Sequence, residues 1–471
     1  MSNIDLFFAS VDELAPLLRS GNLSPVELAQ ATLDRIEKLE PKLNAFLEVF
    51  SESALSQAKQ AEAEIASGNY RGPLHGITIA LKDLIDVEGT VTTGGSKVLK
   101  ENIATSDATV TRLLKEAGAI IIGKAALVEF AMGATGVNPH YGPSHNPWNL
   151  ERICCGSSMG SAAAIAGGLS IGSLGSDTGG SIRMPAAVTG IVGLKPTYGR
   201  ISRAGVLDLS WSCDHVGPMT RTVADCAHMM NVLAGYDPAD PASSEQPVPD
   251  FTSGLDSGFN GLRVGIPKEF FFDNVDPEIE STVRAGIMLM EQEGASVREV
   301  SMPWVAIGRT INVGLLVSEA AATHREVLQT RADELSPAVR ARLESAVIMP
   351  AVDYIDTQRA RRQFIEQMDS AMDDLDIIVT PSVPIQTPTI VECTPLPGLP
   401  DAPGGAGLTD FTGVFDTTGQ PSLSLNCGFT EDGMPIGMMI SGRAFDEVSV
   451  LRAGAAFERA ASLPNRPPLL D

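Results

Sequence analysis

The stretch GSSMGSAAAIAGGLSIGSLGSDTGGSIR, residues 156–183, decides how this 471-residue chain folds. Residues 158–168 are small and apolar on all sides, the pattern of a buried helix. Residues 171–174 read as a short buried strand, 176–181 as a glycine-rich turn, and a helix restarts at Ile182. The same stretch sets two serine clusters in beds of glycine. Hydroxyls that react with a carbonyl need small neighbours, because the carbonyl must approach them closely.

The flanking sequence supports an α/β reading. Residues 77–82 alternate with period two, so Ile77, Ile79 and Leu81 share one face of a strand and Thr78, Ala80 and Lys82 the other. The Lys82 face is otherwise small, which leaves room for another element to pack there. Residues 109–118 read as a helix and 119–123 as a buried strand. Helix and strand in alternation predict an α/β fold with a mixed or parallel sheet. The N-terminal segment, 1–60, reads as helical. Ser10-Val11-Asp12-Glu13 is a capping box, and Ser24-Pro25-Val26-Glu27 is a stronger one, with proline at the first helical position. Val26, Ala29, Leu33 and Ile36 then mark one helical face, and Pro41 is expected to stop it. Two long stretches, 237–250 and 380–407, read as surface loops of one domain spanning 1–471, because strand-like segments continue at 262–266, 377–379 and 422–426.

Bulk properties bound the function. The composition is 44% hydrophobic and 20% charged, ordinary globular material. A net charge of −24 repels phosphates and anionic surfaces, so neither nucleic acid nor membrane is expected as a direct partner. Six scattered cysteines form no disulfide framework and no C-x-x-C pair, which fits a reducing cytoplasm. The start, Met1-Ser2-Asn3-Ile4-Asp5, has neither a basic nor an apolar leader region.

Three residues stand out chemically. Ser181 follows Asp177-Thr178-Gly179-Gly180 at a strand-to-helix turn, where unsatisfied N–H groups can receive an oxyanion. Lys82 ends a buried strand, where desolvation favours its neutral amine and makes it a base. Ser157 lies at a second loop-to-helix junction, and a relay from Ser181 through Ser157 to neutral Lys82 activates the nucleophile. Gly156-Ser157-Ser158-Met159-Gly160 also satisfies the G-x-S-x-G elbow, with Ser158 as nucleophile. The elbow is disfavoured because 149–155 read as loop and the later histidines, His215, His228 and His324, lack a catalytic setting. Residues 118–125 resemble a P-loop, but Ala125 replaces the magnesium-binding hydroxyl. His75, His140 and His145 lack ligand spacing, so no metal is implied.

These motifs resemble the amidase signature family of serine hydrolases. The likeness rests on 72–76 running into Lys82-Asp83, on the 156–161 cluster, on 175–183, on 190–197, and on Gly419-Gln420-Pro421 and 433–437. The resemblance implies one α/β domain whose mixed central sheet is wrapped by helices, with no cofactor or metal. It implies Lys82 as base, Ser157 as bridging serine in a cis peptide, and Ser181 as the acyl-forming nucleophile. The amides of Thr178, Gly179, Gly180 and Ser181 would form the oxyanion hole, with Ser158, Asp177 and Arg183 in support. Cys155, Met159 and 124–126 depart from the usual pattern, which bears on substrate choice.

The resemblance offers two activities. One is a free-standing hydrolase of linear amides, aryl amides, carbamates or hydrazides, acting on a small-molecule substrate and compatible with homodimerisation. The other is the glutaminase subunit of a tRNA-dependent amidotransferase, for which Arg361 could bind glutamine. The run Asp416-Thr417-Thr418-Gly419-Gln420-Pro421 looks like the hydrolase branch.

Overall fold

The computed structural model describes residues 5–395 and 403–468. The first four residues, read above for a leader, and positions 396–402 of the expected 380–407 loop lie outside that range.

The N-terminal caps form as their sequences dictate. Ser24 accepts hydrogen bonds from the backbone of Val26 and Glu27, while the Glu27 side chain accepts from the Ser24 N–H. The Pro25–Leu43 helix does not stop at Pro41. A proline this close to a helix end removes one hydrogen bond of the last turn, and Asn44 closes the helix in the left-handed conformation by donating to Glu40 O. Nor is the segment wholly helical, because strand Phe46–Val49 follows and becomes a sheet edge.

The strands are β1 (Phe46–Val49), β2 (Thr78–Lys82), β3 (Ile120–Ala125), β4 (His145–Asn146), β5 (Asn149–Ile153), β6 (Gly172–Asp177), β7 (Val192–Lys195), β8 (His215–Thr220), β9 (Arg263–Pro267), β10 (Ser296–Val300), β11 (Ile377–Pro381), β12 (Ser422–Phe429) and β13 (Pro435–Gly442). Eleven of them form one sheet in the order β1-β3-β2-β6-β8-β7-β12-β13-β11-β9-β10. The sheet is mixed: β2 runs parallel to β3 and β6, β9 parallel to β10 and β11, and the remaining pairs are antiparallel. The strands β4 and β5 make a separate antiparallel pair. Among the described residues no helix is long and apolar enough to cross a membrane.

Both faces of the sheet are covered, so β2, β3, β6, β7 and β8 are buried along their whole length. Ile79, Leu81 and Ile121 enter one core cluster. Ala80, Ile120 and Ile122 enter another, with Met159, Ala163 and Ala164 of the Met159–Ala166 helix. The small face of β2 therefore admits the helix that begins at the first serine cluster. Gly160 lets it come this close, since a Cβ there would collide with backbone atoms of Ala126 and Ala45. The region 237–250 is a loop, held at its start by Asp237 accepting from Thr109 and Ser202. The 380–407 stretch is more structured than expected and contains the short helix Ile390–Cys393.

Candidate active site

Strands β2 and β6 are parallel neighbours with Leu81 opposite Leu174, so they end side by side. Lys82 closes β2 and Asp177 closes β6. Such carboxyl ends of adjacent parallel strands are where α/β sheets place reactive groups. Lys82 is fully buried, and its Nζ lies 2.6 Å from Ser157 Oγ, 2.9 Å from Ser158 Oγ and 2.8 Å from Ser176 Oγ. Burial pulls its pKa down to about 7, against the opposing fields of Asp177 and Asp214. Three hydroxyl oxygens thus surround an amine that is largely deprotonated above neutrality. The Gly156–Ser157 peptide is cis. Sequence reasoning missed Ser176, although it stands one residue before Asp177.

Ser181 is 8% exposed and lines a cavity of about 320 Å³. Its carbonyl accepts a hydrogen bond from the Ser158 N–H at 3.3 Å, so the two serine-bearing turns touch through their backbones. No hydrogen bond joins the Ser181 and Ser157 hydroxyls among the described residues.

The turn between β6 and the Arg183–Thr189 helix is organised by Asp177. Its carboxylate accepts from the N–H groups of Gly180 (2.6 Å), Ile182 (3.0 Å) and Arg183 (3.3 Å), and from Arg183 Nε and Nη2. Burial works to raise the Asp177 pKa, but the Arg183 guanidinium outweighs it and holds the carboxyl well below its usual range. This corrects one expectation. The Gly180 N–H is committed to Asp177 Oδ1, while the Thr178, Gly179 and Ser181 N–H groups find no acceptor among the described residues.

Residues far away in sequence fix the same turn. Asn312, in the Ile307–Thr323 helix, donates from Nδ2 to Thr178 O at 2.9 Å. Thr412 Oγ1 donates to Gly179 O, and Thr178 Oγ1 donates to Asp214 Oδ1. Arg183 continues outward, donating to Thr412 O and to Asp416 Oδ2. No local pattern marks Asn312 or Thr412, while Asp416 opens the run 416–421 read above.

The competing motifs have other settings. Residues Asn149–Ile153 form strand β5 instead of a loop, but Cys154 to Gly156 separate it from the serines. His215 contacts Lys195 and Asp177 O, His228 contacts Asp12, and His324 packs on Phe130; none touches Ser158. The P-loop look-alike is strand β3, and its Lys124 forms a buried pair with Asp83. Met159 is buried against the helix core and does not line the cavity. Arg361 donates to Thr417 O and Ser212 O and is likewise outside the cavity lining. The wall includes Met132, Met184, Leu209, Leu316, Arg309 and Arg342.

Comparison with known proteins gives the family of the chain. The sequence profile described as Amidase matches residues 27–451. Over 475 residues the chain is 39% identical to a Glutamyl-tRNA(Gln) amidotransferase subunit from Roseiflexus sp. (strain RS-1), covering 96% of each chain. Among solved structures it superposes with a TM-score of 0.90 and 34% identity on a vestigial protein complex said to reveal the evolutionary origins of an s-triazine catabolic enzyme, covering 96% of this chain and 98% of that one. It superposes with a TM-score of 0.85 and 30% identity on native peptide amidase from Stenotrophomonas maltophilia, covering 98% of this chain and 99% of that one.

These relatives overturn the expectation of a chain that meets only a small-molecule substrate and no nucleic acid. A relative matched nearly end to end is named as one subunit of an enzyme acting on a glutamyl-tRNA. The inference from net charge failed because the charge of one chain does not set the charge of an assembly, in which another subunit can carry the basic surface. Profile, end-to-end identity and superposition converge, and the chain belongs to the amidase signature family.

Proposed function

We propose that the chain cleaves an amide C–N bond through an acyl-enzyme on Ser181. Ser181 Oγ attacks the carbonyl carbon, its proton passes to Ser157 Oγ, and the Ser157 proton passes to the neutral amine of Lys82. The Thr178, Gly179 and Ser181 N–H groups are the donors open to the oxyanion. Collapse expels the amine, which takes the proton back by the same route, and a nucleophile such as water then releases the acyl group. The reading rests on one observation: a fully buried lysine, with its pKa near 7, whose Nζ meets three serine hydroxyls beside a turn with three amides unoccupied among the described residues. The test is reaction with a fluorophosphonate followed by peptide mass spectrometry. An adduct on Ser181 is expected; an adduct only elsewhere, or none, refutes the assignment.

Two uses of this chemistry are open to the site, and each has its own support. The 39% identity to an amidotransferase subunit over 96% of both chains favours a glutaminase that delivers its product within a tRNA-dependent amidotransferase. The engagement of Arg361 with backbone carbonyls favours a stand-alone hydrolase, since it takes away that reading's glutamine-binding residue. Ammonia release from L-glutamine, measured for the chain alone and with added partner subunits and tRNA, separates them. Release that requires the partners supports the amidotransferase role, and turnover of simple amides by the chain alone supports the hydrolase.

A further inference from the structure

The cavity at Ser181 is electrically one-sided. The protein carries a net charge of −24, yet two arginines and no acidic side chain line this cavity among the described residues. One wall is a single face of the Ile307–Thr323 helix: Arg309, Asn312, Val313, Leu316 and Val317 all line the space. Their spacing of three and four residues stacks them along the helix. Asn312 is bonded to Thr178 in the turn beside Ser181, so Arg309 stands one helical turn from the residue that indexes this face to the reacting centre.

The two arginines differ. Arg342 donates to Met132 O and is part of the wall. Arg309 pairs through its buried Nε with Asp410, 3.5 Å away and 45% exposed, while its Nη1 and Nη2 have no partner among the described residues. Its Cδ packs where a side chain on Gly413 would stand, which steadies the stem and leaves the planar head in the cavity wall. A half-buried guanidinium whose terminal N–H groups are unfilled, and whose acidic neighbour lies at the surface, can take a carboxylate from a ligand in the cavity.

We infer that Arg309 is a specificity-determining residue that binds a carboxylate on the substrate, so that the preferred substrates are amides carrying a carboxylate on the same molecule, with an apolar segment lying along Val313 and Leu316. The inference rests on the amide-cleaving reading above. It adds a substrate class and assigns it to a different arginine from the Arg361 expected from sequence.

The direct measurement is calorimetric titration of the full chain with glutarate, which needs no turnover. Binding by the wild type that weakens about 10–100-fold in Arg309→Met, with partial recovery in Arg309→Lys, is the expected result. Absence of glutarate binding, or equal binding by wild type and Arg309→Met, overturns the inference. Kinetics supply the second readout. The kcat/KM ratio for glutaric acid monoanilide over pentananilide should be at least about tenfold in the wild type and collapse towards unity in Arg309→Met, chiefly through KM. A ratio that does not move overturns the inference. Failure of a fluorophosphonate to label Ser181, with glutarate binding intact, refutes the catalytic reading and leaves the carboxylate site standing.

Discussion

Asp177 and Arg183, six positions apart, meet as a two-pronged pair with no solvent access: Nε lies 3.0 Å from Oδ2 and Nη2 2.9 Å from Oδ1. The same carboxylate pins three backbone N–H groups of the turn. The pair thus sets which amides of the turn remain available to a substrate.

Asp177→Asn should therefore destabilise the chain by about 3–5 kcal/mol, because it leaves a buried guanidinium with reduced compensation. Chemical denaturation measures this. A loss below about 1 kcal/mol would mean that Asp416 alone suffices for Arg183.

Activity should depend on pH through Lys82. With its pKa near 7, the neutral amine predominates above that value and is protonated below it. The rate of Ser181 labelling should fall about tenfold per pH unit below 7 and level off above. Lys195 is also drawn to about 7 by burial, but it contacts Pro196 O and His215 and none of the serines. Lys82→Met should lower labelling by about 10²–10⁴-fold. A labelling rate that stays flat from pH 5 to 9 would contradict the assignment.

Asn312 is a positioning residue. Asn312→Ala removes the only side-chain donor to Thr178 O among the described residues and should lower kcat about tenfold with little change in KM. Asn312→Gln, which keeps an amide donor on a longer arm, should recover part of it. An effect confined to thermal stability would reduce the residue to packing.

Gly180 has φ +127°, and a Cβ there would run into Thr412 Oγ1. Gly180→Ala must shift either the turn or Thr412, so loss of Ser181 labelling is expected even in protein that remains folded by circular dichroism. Retained labelling at the wild-type rate would show that the turn adapts.

Local sequence carried much of this architecture. The capping boxes at Ser10 and Ser24 form, the period-two run becomes β2, and residues 156–183 fold as helix, strand, turn and helix within a few residues of the expected bounds. Each of these signals acts over one or two turns of chain, where propensity and patterning suffice. Pro41 misled because position within a helix, not identity, sets the cost of proline. The fate of the Gly180 N–H was hidden because glycine is equally at home lining an oxyanion site and closing a turn onto Asp177. Arg309, Asn312 and Thr412 were illegible for a different reason. Their roles exist only where a distant helix and loop meet the turn, and nothing nearby in sequence announces the meeting.

The braces on that turn come from positions 312, 412 and 416, more than a hundred residues beyond it in the chain. During synthesis, the groups of the first 200 residues that carry the proposed chemistry leave the ribosome long before their supports. A nascent or truncated product ending before residue 412 holds every reacting group and should still be inert, because the turn beside Ser181 lacks the Thr412 and Asp416 contacts.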